Sequence, residues 1–191
     1  PPATIITAVG IMLFFFYRSG IALPRAAASH PAGYIAGLVI LIPLCGALLC
    51  PLLGKLSRNA GKRAVICTLF AAVVCAALQL VQVVRGGAAL HYWLGGWKPP
   101  YGIEFVIDGI NAPIILLVAA ISFLTALYSC PFEETETHTT TRVSLYYTTL
   151  ACLAIGLLGM ASTGDAFNFY VFMEITALAG YGLIAAGEGK G

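Results

Sequence analysis

The chain has 191 residues, 60% of them hydrophobic and only 9% charged, with a formal net charge of +2. A soluble domain carries about 25% charged residues, so this composition excludes a water-clothed globule and points to an all-α integral membrane protein. No cluster of Lys and Arg alternates with exposed aromatics, so nucleic acid is not an expected partner.

In chain order, Ala3 to Tyr17 is apolar and reads as a short first span, with Arg18 to Pro31 as a polar connector. The second span is Tyr34 to Leu53; Gly33 and Gly37 at its start would let another helix approach closely, and Pro43 can kink it. Gly54 to Arg63 follows, with Lys55, Arg58, Lys62 and Arg63 in ten residues. The third span is Ala64 to Val84, where Gln79 and Gln82 read as interhelical glue or interfacial residues.

Arg85 to Ile107 is a longer loop with Tyr92, Trp93, Trp97 and Tyr101, which fit an aromatic belt at one membrane interface. Asp108 or Asn111 can cap the fourth span, Ala112 to Cys130, with Pro113 tolerated in its first turn. Pro131 to Arg142 is an acidic loop, and the fifth span is Val143 to Ala161. Ser162 to Phe167 makes a tight turn in which Asp165 is a natural N-cap of the sixth span, Phe167 to Ala186. That gives about six membrane helices.

Cysteines 45, 50, 67, 75, 130 and 152 lie in or at the edges of apolar runs, with no Cys-x-x-Cys pair, and the three histidines are far apart. They read as reduced, packed thiols, so we expect no metal and no cofactor held by this chain.

Glu174 is the exception within the sixth span. It lies about 10 Å along that helix, well inside a hydrocarbon core about 30 Å thick. A charge there costs at least a few kcal/mol, so an intramembrane carboxylate is a functional candidate by default. The bland alternative is a protonated glutamic acid bonded to a neighbouring helix for packing alone. Tyr170 and Leu178 lie one turn either side, and Ala177 and Gly180 leave room for a close neighbour.

The rule that basic loops face the cytoplasm puts Lys55, Arg58, Lys62, Arg63, Arg142 and Lys190 inside. Arg18, Arg25, Arg85 and Lys98 then lie outside. We therefore expect a multi-pass protein of the cell inner (plasma) membrane. The chain starts at Pro1-Pro2 and stops at Gly191, just past a span, which leads us to expect artificial ends or one piece of a longer polypeptide.

Leu94-Gly-Gly-Trp-Lys-Pro-Pro-Tyr-Gly-Ile-Glu-Phe-Val-Ile-Asp108-Gly and Thr163-Gly-Asp-Ala-Phe-Asn-Phe-Tyr-Val-Phe-Met-Glu174 resemble the start of the antiporter-like membrane subunits. These serve Mrp-type cation/proton antiporters, membrane-bound hydrogenases and complex I, and the second string is nearest the first two groups. The resemblance implies a subunit of roughly fourteen helices, of which residues 34–191 supply the first five. It also implies that Glu174 pairs with a lysine on the seventh helix, outside this chain. Residues 1–33 belong to no helix of that subunit. They read as an extra helix and connector, weakly like the last helix of a small upstream subunit, from a fusion or as a remnant. That likeness would turn the basic loop outward, and the four-residue basic cluster outweighs it.

The expected function is proton- or sodium-translocation by one subunit of a multisubunit energy-converting complex, with Glu174 handling the proton and Asp108, Asp165 and Tyr170 as caps or secondary candidates. Its partners are then other membrane subunits, the lipid bilayer and H+ or Na+. Any oxidoreductase or hydrogenase chemistry belongs to partner subunits. The rivals are a structural anchor for a peripheral oxidoreductase that moves no ions, and a stand-alone transporter built on an inverted repeat.

Overall fold

The computed structural model describes residues 33–97, 101–135 and 140–187. The expected first span, its connector, Lys98, Lys190 and residues 136–139 of the expected acidic loop lie outside them; the rest of that loop is helical, because the two flanking helices run on to Thr135 and start at Thr140. Five helices follow one another: α1 (Gly33–Leu56), α2 (Arg58–Gly86), α3 (Asn111–Thr135), α4 (Thr140–Ser162) and α5 (Ala166–Gly187). All five are long and apolar enough to cross a membrane. Hydrocarbon offers no hydrogen bonds, so such segments must satisfy their backbone internally, and the helix does so. α1 remains helical through both Pro43 and Pro51.

The loop between α2 and α3 holds structure that hydropathy does not reveal. Strands β1 (Leu90–Trp93) and β2 (Glu104–Ile107) pair antiparallel, with Trp93 opposite Glu104 and Tyr92 opposite Phe105. Phe105 and Ile107 point into the bundle and are buried. The ring of Tyr92 stacks on Phe105 and meets Tyr34 of α1 edge-on. Burial, then the neighbouring Tyr34, push the Tyr92 hydroxyl above its usual range. The close approach allowed by Gly37 is therefore to a strand side chain rather than to a helix: a methyl group there would sit 2.9 Å from the Tyr92 ring. Trp97 and Tyr101, by contrast, are widely exposed, as belt residues are.

α4 is the central helix. Buried residues make up 56% of its span, against 17% for α5, which lies at the edge. Tyr147, Leu69, Ile107, Ile115 and Leu158 are the largest hydrophobic side chains closed off completely in the core. At the basic end, Ser144 Oγ donates to the Cys50 carbonyl (3.1 Å) and Cys50 Sγ to the Ser144 carbonyl (3.4 Å). At the hairpin end, Gln79 Nε2 donates to the Ile35 carbonyl (2.7 Å), tying α2 to α1. The antiparallel order sets Lys55, Lys62, Arg63 and Arg142 at one end of the bundle and Arg85 with the hairpin at the other.

α5 docks on α4 through glycines. A side-chain carbon at Gly159 would collide with the Phe172 ring, and one at Gly156 with the Thr176 hydroxyl. Between membrane helices, where burial from water contributes little, such close backbone approach is the main attraction. Replacing Gly159 with Ala should therefore loosen α5 and destabilise by about 1–3 kcal/mol. Thermal unfolding in detergent should show a clear drop in Tm, while Gly180→Ala, where the added carbon meets nothing within 4 Å, should hold Tm or raise it slightly, since Ala favours a helix interior over Gly.

Candidate functional site

Two capped helix starts position the candidates. The Asp108 carboxylate accepts from the backbone N–H of Ile110 and of Asn111 (both 2.9 Å). Asn111 Oδ1 accepts from the N–H of Asp108 (2.7 Å), and its amide donates to the Val106 carbonyl (2.7 Å). Each side chain thus satisfies the other's backbone, as in a capping box. The N–H groups of Asn111 and Ile110, in that order, hold the Asp108 carboxyl below its ordinary range.

At the start of α5, the Asp165 carboxylate accepts from Phe167 N–H (3.2 Å) and Asn168 N–H (3.3 Å), two donors that a helix cannot satisfy internally. Buried Asn168 donates through Nδ2 to Thr163 Oγ1 (3.0 Å). Thr163 bridges to Phe105, and Gly164 N–H donates to the Glu104 carbonyl (2.9 Å). The hairpin thereby grips the turn that launches α5. The phenyl rings of Phe105 and Phe172 lie 6.3 Å apart, which extends the grip into the helix.

This seating fixes which way α5 faces. Asn168, Phe172 and Ala179 are buried against the rest of the bundle. Tyr170, Glu174, Leu178 and Tyr181, spaced three or four residues apart and so on one side of a helix, are all exposed. Glu174 therefore presents its carboxylate outward from the bundle. No hydrogen bond or ion pair reaches it from the described residues. Tyr170 and Leu178 flank it on the same stripe, and Gly180 is open to a close neighbour. Asp108 and Asp165 belong to the hairpin end and are engaged with backbone, so the structure does not bring them together with Glu174.

Sequence reasoning overlooked one constellation. Glu104 Oε1 lies 2.8 Å from His91 Nδ1 and accepts from Trp93 Nε1 (3.0 Å). Leu-His-Tyr-Trp and Glu-Phe-Val-Ile show no clean alternation of polar and apolar residues, so the sequence carried no strand signal for it. Among the described residues, no three of His, Cys, Asp and Glu gather as a metal site would require.

An apolar bundle of this kind, with a carboxylate on a membrane-length helix, defines a multi-pass membrane protein. No family model matches the chain. It is 37% identical over 150 residues to NADH-quinone oxidoreductase subunit N of Desulforudis audaxviator, a match covering 78% of this chain and 30% of that protein. To a Na(+)/H(+) antiporter subunit of Bacillus subtilis it is 36% identical over 156 residues, 80% of this chain and 30% of that one. A chain in the structure of the membrane-bound sulfane sulfur reductase, an archaeal respiratory membrane complex, superposes with a TM-score of 0.69. Its sequence identity is 35%, over 77% of this chain and 29% of that one. The chain belongs to the antiporter-like membrane subunit family that these proteins share, and it spans about 30% of the length of the curated relatives it matches.

The Asp108 cap has a pH signature. A carboxyl held low in the folded state stabilises fully above its unfolded pKa, and that stability is lost as pH falls through the folded pKa. Asp108→Ala should lower Tm at neutral pH. Its deficit should shrink as pH drops below the ordinary carboxylate range, where wild type loses the same bonds; a deficit independent of pH would assign the loss to packing.

Proposed function

We propose that this chain forms part of a proton- or sodium-translocating, antiporter-like subunit of a multisubunit energy-converting membrane complex, with Glu174 as its proton-handling group. The observation that supports this most is the Glu174 carboxylate on the outward stripe of α5, on a helix otherwise apolar around its middle. Hydrocarbon cannot solvate that group, so further protein or a hydrated cavity covers this stripe in the assembled protein. The names of the relatives, one an antiporter subunit and one a subunit of an NADH-quinone oxidoreductase, support the same reading.

The chemistry needs only a proton and a movable field. Loss of water favours the protonated form of a carboxylate, and a nearby cation favours the ionised form. Moving a cationic partner toward or away from Glu174, or admitting water beside it, loads or unloads the proton. Tyr170 lies one turn away on the same exposed stripe. In the membrane, Lys55, Lys62, Arg63 and Arg142 face the cytoplasm in this reading, so α5 runs inward from its capped start.

In the reconstituted full complex, Glu174→Gln should cut ion transport by at least about tenfold while the complex still assembles, because an amide keeps size and hydrogen bonding but cannot ionise. Glu174→Asp should keep part of the rate. Assembly is read separately on native gels. Normal transport in the Gln variant, with Asp the less stable of the two, would remove Glu174 from the mechanism and favour the anchor reading.

A further inference from the structure

We propose that Glu104 is a positioning residue for the helix that carries Glu174. The inference rests on the proton-handling reading only for its effect on transport; its structural half stands on the hairpin alone.

A two-stranded hairpin is marginal by itself, and its register needs an anchor. Glu104 supplies one. Trp93 is its direct partner across the strands, and His91, two residues earlier, shares the same face because side chains alternate along a strand. A single carboxylate oxygen holds both, at 3.0 Å to the indole nitrogen and 2.8 Å to the imidazole. Two such bonds from one strand to one residue of the other fix which residues of β1 and β2 face each other.

That register is what α5 reads. The opposite face of β2 carries Phe105, whose ring meets Phe172 of α5 at 6.3 Å and stacks on Tyr92. The Glu104 carbonyl receives Gly164 N–H (2.9 Å), and Phe105 pairs with Thr163. Thr163 Oγ1 in turn receives the Asn168 amide in the first turn of α5 (3.0 Å). A slip of one residue would send Phe105 to the outer face, free the Gly164 donor and release Phe172. Phe172 lies two residues before Glu174, so rotation of this turn about the helix axis would swing the carboxylate off its present stripe.

Hydrogen exchange of the amides of residues 163–172, measured in the purified full complex, tests this. Glu104→Ala should speed their exchange roughly tenfold by opening the turn locally. Glu104→Gln should stay close to wild type, because its amide oxygen still accepts from Trp93 and His91. Trp93→Phe, which removes one donor and keeps the ring, should fall between. Transport should follow the same order, with rescue by Gln. Unchanged exchange in Glu104→Ala overturns the proposal, and so does a Gln variant as fast as Ala. If Glu104→Ala does not assemble, unchanged exchange in Trp93→Phe overturns it. Faster exchange with undiminished transport would uphold the positioning of α5 and count against Glu174 as the proton group.

Discussion

A carboxylate on a membrane helix must face protein or water, and the packing of α5 on α4 decides which way Glu174 faces. Gly156 and Gly159 admit Thr176 and Phe172 so closely that no larger side chain fits. That contact commits one side of α5 to the bundle and turns the stripe of Tyr170, Glu174, Leu178 and Tyr181 outward. Were α5 rotated by half a turn, the carboxylate would lie inside a small, closed core with no route to a moving partner. The rotation adopted leaves it on the open side of α5 instead.

The hairpin end works as the second support of the same arrangement. Asp108, Asn111 and Asp165 accept from backbone donors at two helix starts, Asn168 donates to the Thr163 hydroxyl, and β2 lies between those starts. Backbone groups at helix ends are costly to leave bare at the edge of a bilayer. This polar layer therefore fixes the helix starts laterally while the apolar spans set their depth. The basic end is held differently, by the tight packing of Ser144 against Cys50 and Gly54.

The existence and order of the spans from Tyr34 onward were legible in the sequence, because hydropathy over twenty residues is a strong signal; the ends were off by up to six residues where polar loops were expected, since the helices run through Arg58–Arg63 and on to Thr135. So was the position of Glu174 along its helix. Its direction was not. In a membrane helix both faces are apolar, so the hydrophobic periodicity that tells inside from outside in a soluble helix is missing. Gly156 and Gly159 mark the docking face of α4, but glycine is common throughout this chain and the pair does not stand out. The strands escaped for another reason. Each has only four residues, and their aromatics match an interfacial belt equally well. Trp97 and Tyr101 are exposed in that manner, whereas Tyr92 and Trp93 are drawn into the hairpin. Of the Asp108 and Asn111 alternatives for the cap, the structure uses both at once.

The central claim is that Glu174 exchanges a proton as the complex works, and infrared difference spectroscopy tests it most directly. Spectra of the reconstituted full complex are recorded with and without an imposed ion gradient and compared with those of Glu174→Gln. The account predicts a carboxyl C=O band that changes on applying the gradient in wild type and is absent from the variant. Identical difference spectra for the two proteins would contradict it.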